Sequence, residues 1–124
     1  MGKTNLIKKI IRRGASCGAV IVAAGISSRM KGKDKIMEDL CGEPVILRTL
    51  RAFQNCEDIS DIVVVTRPDL LEPVSELCVS HGIDKVTKVV KGGDTRAESV
   101  LYGLQQLPKS CGLAAVHDGA RPLV

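Results

Sequence analysis

Apolar positions along the chain fall into two spacings. Gly18 to Ala24 reads GAVIVAA, a short unbroken apolar run closed by Gly25, which is the pattern of a strand buried on both faces. Asp61 to Thr66 (DIVVVT), Lys85 to Val90 (KVTKVV) and Leu113 to Val116 (LAAV) are further β-branched or apolar runs, and they predict three more strands. Helical stripes lie between them. Ile46, Leu50 and Phe53 share one face after Pro44, which a first helical position tolerates, so a helix is predicted to run to about Asn55. Leu70, Leu71, Val74, Leu77 and Cys78 form a second stripe stopped by Gly82; Pro73 must begin that helix or kink it, because an interior proline costs about 3 kcal/mol. Thr95-Arg96-Ala97-Glu98 has the form of a capping box and starts a third helix, with Ala97, Val100, Leu101 and Leu104 expected inward.

Strands alternating with helices predict an α/β fold, a parallel sheet with helices on both faces joined by right-handed crossovers. In such sheets ligands bind outside the carboxyl ends of the strands, where the strand order reverses. Three polar segments follow strands here: GISSRMKGKDK from Gly25, GGDTRAES from Gly92 and HDGARP from His117. They are therefore expected on one rim. No internal repeat or second-domain linker interrupts the pattern, and 124 residues leave room for one core.

Composition narrows the chemistry. The apolar share is 44% but the aromatic share only 2%, so Val, Ile, Leu and Ala must build the core. Phe53 and Tyr102 are the two aromatics, too few for the stacking platforms of single-strand nucleic-acid binders, and no nucleic-acid partner is expected. The net charge of +4 has an uneven origin, since Lys3, Lys8, Lys9, Arg12 and Arg13 precede the first acid, Asp34. Residues 1–17 read as a basic, solvated extension and 18–124 as the domain. Organelle targeting by that leader stays open, but Arg12 and Arg13 interrupt any secretory apolar run and no segment approaches the roughly 20 residues of a membrane span. A soluble, cytoplasmic protein without a membrane partner is expected. Cys17, Cys41, Cys56, Cys78 and Cys111 are odd in number and scattered without zinc spacing, which fits small hydrophobes in a reducing compartment.

The first polar segment carries backbone N–H groups, Arg29, Lys31, Lys33 and Lys35 just beyond a buried strand, a cradle for a polyanion. It has neither the Gly-x-x-x-x-Gly-Lys-Ser/Thr spacing of a P-loop nor Gly-x-Gly-x-x-Gly, so a P-loop ATPase and a dinucleotide dehydrogenase are unsupported. Ala23 to Met30 (A-A-G-x-x-x-R-M), followed by Lys35, resembles the signature loop of the sugar-phosphate and cofactor nucleotidyltransferases, a group that includes molybdenum-cofactor enzymes and uridylyltransferases. G-G-x-x-R-x-x-S-V-x-x-G-L from Gly92 to Leu104 and V-H-D-G-A-R-P-L from Val116 to Leu123 narrow the choice. Together the three motifs resemble the methylerythritol phosphate cytidylyltransferase family over about Ala19 to Val124, matching the first half of its longer chains. Ser27 and Asp34 stand where the family often has glycine and proline.

The resemblance implies a truncated, Rossmann-like nucleotidyltransferase fold and transfer of CMP from CTP to a sugar-alcohol phosphate, 2-C-methyl-D-erythritol 4-phosphate, with release of pyrophosphate, in the non-mevalonate isoprenoid pathway. A phosphate nucleophile is already ionised near neutral pH, so the site's work is positioning and charge neutralisation. It implies that Arg29 and Lys35 are catalytic, stabilising the α-phosphate. Ala23, Ala24, Gly25, Ser27, Gly93, Asp94, Ser99 and Gly119 would bind the nucleotide, and Asp118 and Arg121 the acceptor substrate or a metal. Mg²⁺ is the implied cofactor, and the full-length family implies a homodimer. His117 and His81 read as structural, and Arg96 as either a pocket contact or a solvated side chain. A ribitol-5-phosphate cytidylyltransferase and a non-catalytic nucleotide-binding remnant are the alternatives.

Overall fold

A computed structural model describes residues 16–24, 29–30, 33–34, 39–40 and 43–119. Four long strands, β1 (Ser16–Ala23), β6 (Ile59–Thr66), β7 (Val86–Lys91) and β8 (Cys111–Asp118), pair in the order β7-β6-β1-β8, and every pairing is parallel. Helices α1 (Val45–Gln54), α2 (Leu71–Ser80) and α3 (Arg96–Gln106) fall between them, so the predicted α/β fold holds. The chain moves outward from β1 to β6 to β7 and then returns to the other side of β1 for β8. The order therefore reverses between β1 and β8.

In-register partners share a face of the sheet, and successive residues alternate. Ala19, Ile21 and Ala23 of β1 and Ile62 and Val64 of β6 pack on one face with Ile46, Leu47 and Leu50 of α1 and Val74 and Cys78 of α2. Val20, Val22, Val63 and Val65 pack on the other, against Val100 of α3 and Leu107 just beyond it. This is why β1 and β6 read as unbroken apolar runs: both of their faces are core, each buried Val or Ile contributing about 1.5–3 kcal/mol.

Some local expectations change. The residues of α3 buried against the sheet are Ser99 and Gly103, while Leu101 and Leu104 are 51% and 38% exposed and Ala97 is also exposed. Close approach decides this. A Cβ on Gly103 would stand 2.4 Å from Val20 Cγ1 and 2.9 Å from Val65 Cγ2, so α3 presents its smallest residue to the sheet and its leucines sit on the flank. Pro44 lies one residue outside α1 as its N-cap, with an extended ψ of 142° and a backbone pairing to Asp39. Pro73 falls in the first turn of α2, where its missing N–H removes no helical bond, after a 3₁₀ turn at Pro68–Leu70. The segment from Gly25 was expected as loop alone, but it holds a small antiparallel pair, β2 (Arg29–Met30) with β3 (Lys33–Asp34). A second pair joins β4 (Asp39–Leu40) to β5 (Glu43–Pro44).

Candidate active site

The carboxyl ends of β1, β7 and β8 meet at one rim, and backbone contacts tie them together. Gly119, just past β8, donates its N–H to the carbonyl of Val22 at 2.9 Å. Gly92, just past β7, donates to the carbonyl of Thr66 at 2.9 Å. A Cβ on Gly92 would stand 2.4 Å from Ala24 Cβ and 2.7 Å from Ser99 Oγ, so only glycine lets the loop after β7 lie against both the end of β1 and the first turn of α3.

The N-terminus of α3 is built by side chains accepting from backbone. Thr95, extended at φ −125°, takes the N–H of Glu98 on its hydroxyl at 3.1 Å. Glu98 returns its carboxylate to the N–H of Asp94 at 3.0 Å, one residue before the position a strict capping box would use. Buried Ser99 accepts the N–H of Gly93 at 3.1 Å. These bonds fix Gly92, Gly93 and Asp94 in a loop whose outer side opens on a cleft of about 280 Å³, lined also by Lys91, Glu98 and Tyr102. Register places Asp118 beside Val22 on the α3 face, the face on which Ala24 packs. Ala24, Gly92, Ser99 and Asp118 thus converge on one side of the sheet at its carboxyl rim.

Comparison with known proteins decides the family. The family description "IspD: 2-C-methyl-D-erythritol 4-phosphate cytidylyltransferase" matches residues 17–124. The chain belongs to that family. A cytidylyltransferase of this name from Dehalococcoides mccartyi is 46% identical over 107 residues, covering 86% of this chain and 47% of its own. One from Caldanaerobacter subterraneus is 44% identical over 108 residues, covering 86% and 48%. The crystal structure of 4-diphosphocytidyl-2C-methyl-D-erythritol synthase from Anaerococcus prevotii superposes with a TM-score of 0.74 at 28% identity, over 90% of this chain and 46% of that one. The Francisella tularensis cytidylyltransferase gives 0.62 at 27% identity, over 89% and 46%. The chain spans about half the length of the relatives it matches.

Within this IspD-family chain, the residues expected from sequence divide into three groups. Ala24, Gly93, Ser99, Asp118 and Gly119 stand at the rim as described, and Asp94 is exposed beside them. Ala23 is 2% exposed and faces the opposite core, so only its backbone can reach the rim. Gly25, Ser27, Lys35 and Arg121 lie outside the described residues, and of Arg29 only the backbone pairing with Asp34 is described. Arg96 is exposed. The ring of His117 lies 5.6 Å from that of Phe53 on the α1 face, away from Asp118, and His81 sits at the end of α2 with Nδ1 3.1 Å from the Leu77 carbonyl.

Reading the sequence found Glu98 as the partner of Thr95 in the helix cap and Gly92 as the start of a motif, but gave neither Gly92 nor Thr66 a place at the site. Gly92 carried a signal, as first member of the Gly-Gly pair; Thr66 carried none. Of the thiols, Cys78 is pushed up to about 11 by burial, and Cys17 is raised by burial and then by its neighbours Cys111 and Cys56. Both are buried and free, as the reading of the cysteines as small hydrophobes requires.

Proposed function

We propose that this chain forms the nucleotide-binding half of an enzyme that transfers CMP from CTP to 2-C-methyl-D-erythritol 4-phosphate and releases pyrophosphate. The observation that carries the reading is the convergence of Ala24, Gly92, Ser99 and Asp118 on one face of the rim beside the strand-order reversal, in a chain of this family. Open α/β sheets bind their ligands at such a point.

In this reading the loop from Gly92 to Asp94, held rigid by Ser99 and Glu98, takes the cytosine through short fixed hydrogen bonds. The triphosphate would be met by Arg29 and Lys35, which follow Ala24 in the sequence. The acceptor's phosphate attacks the α-phosphorus, the bond to the bridging oxygen breaks, and pyrophosphate departs. No general base is needed, because the nucleophile is ionised; Arg29 and Lys35 neutralise the charge that grows on the α-phosphate. Asp118 is the rim carboxylate that would hold Mg²⁺, a cation that takes one or two carboxylates, and the ion would supply charge neutralisation at the triphosphate. Arg121 would meet the acceptor. Free, buried Cys17 and Cys78 support a reducing, cytoplasmic setting; the assembly would be a homodimer.

The charges of Arg29 and Lys35 matter more in the transition state than in the ground state, so Arg29→Ala or Lys35→Ala should lower turnover more than CTP affinity. The expected loss is roughly 10²-fold or more, as for one preorganised transition-state donor. Pyrophosphate release should be followed in a chain completed with the second half of a relative. Turnover within about threefold of the parent for both substitutions would mean that neither residue is catalytic.

A further inference from the structure

Among the described residues, the Thr66 hydroxyl is buried with no hydrogen-bond partner. The residue is 0% exposed and ends the run Val63-Val64-Val65, in a strand where valine would fill the same space. A buried hydroxyl gives up water and, without a partner, gains nothing in return, so its presence in an otherwise apolar run calls for a use.

Its position supplies one. Thr66 is the last residue of β6, and its register partners are Ala23 on β1 and Lys91 on β7, the residues from which two of the rim segments depart. Its carbonyl already accepts the Gly92 N–H, which anchors the loop after β7. Alternation puts its side chain on the face of Ile62 and Val64, beside Ala23 at the end of β1. Thr66 thus holds the loop after β7 by its carbonyl and pairs with the last residue of β1, while its hydroxyl has no bond.

We propose that Thr66 is a positioning residue of the nucleotide site: its hydroxyl makes, in the CTP-bound arrangement of the strand ends, the hydrogen bond it lacks in the free chain. The inference rests on the nucleotide reading above. The desolvation of the hydroxyl is carried by the free protein and recovered on binding, so part of the affinity for CTP comes from a group that need not touch it.

The test separates that role from a structural one. Free and CTP·Mg²⁺-titrated samples of the 124-residue chain should be compared for the parent, Thr66→Val and Thr66→Ser by thermal melting and calorimetry. Thr66→Val should melt, when free, at the parent's temperature or above it, because it removes an unpaired polar group at constant shape. It should bind CTP about tenfold more weakly, equivalent to about 1.4 kcal/mol. Thr66→Ser should bind within about twofold of the parent. CTP affinity of Thr66→Val within about twofold of the parent overturns the inference alone. So does a free melting temperature lowered by several degrees, which would show that the hydroxyl holds the unliganded fold. A parent chain that binds no CTP removes the nucleotide reading and this inference with it.

Discussion

The two faces of the sheet are built differently. The first is covered by α1 and α2, and their side chains meet every central residue of β1 and β6 that points that way; Ile46, Leu47, Leu50, Val74 and Ile62 are all fully buried. Among the described residues, the second is covered by α3 and by Leu107 just beyond it; α3 comes so close that Gly103 is required at the contact, and it serves β1, β6 and β7. Beyond its flank, Leu101, Leu104 and Val116 remain 51%, 38% and 40% exposed. The first face is a store of stability. The second gives up packing area and in exchange brings the N-terminus of α3, with Ser99 and the Gly-Gly loop, directly over the carboxyl ends of the strands. Support and site have been divided between the faces.

Substitutions on each face sharpen this contrast. Leu50→Ala empties a fully buried position on the first face and should cost about 2–5 kcal/mol, read from chemical denaturation of the free chain. A loss below about 1 kcal/mol would mean that α1 is not part of the stabilising core. At the other extreme, Leu101→Ala on the flank of α3 should change stability by no more than about 0.5 kcal/mol in the same experiment. A loss comparable with that of Leu50→Ala would contradict the exposed placement and erase the distinction between the faces.

The strands that were easiest to read are the ones buried on both faces, because β1 and β6 need no alternation and their centres, Ala19 to Ala23 and Ile62 to Val65, hold no polar residue. β8 was predicted only from Leu113 to Val116, yet it extends from Cys111 to Asp118. At the edge of the sheet formed by the described residues and with one face partly open, it accepts Cys, Gly, His and Asp at its ends, which a search for apolar runs discards. Of the four α3 residues expected inward only Val100 packs on the sheet, for a related reason: counting apolar residues at helical spacing also selects Ala97, Leu101 and Leu104, whereas the separation of helix and sheet is set by the smallest residue, Gly103. At the site, the Gly-Gly loop and the cap of α3 were legible because glycine and the Thr95–Glu98 pair have local backbone meanings. The register that puts Asp118 on the α3 face, and the burial that isolates the Thr66 hydroxyl, depend on which strands become neighbours, and no local pattern encodes that.

In the proposed function the rim formed by Ala24, Gly92 to Asp94 and Ser99 selects cytidine. Calorimetric titration of the free chain with CTP, UTP, ATP and GTP, each with Mg²⁺, tests it most directly. CTP should bind most tightly, because the loop between β7 and α3 is held by the bonds to Ser99 and Glu98 in one geometry and cannot adapt to every base. Equal affinity for all four nucleotides would leave a triphosphate site without base selection and would contradict the account.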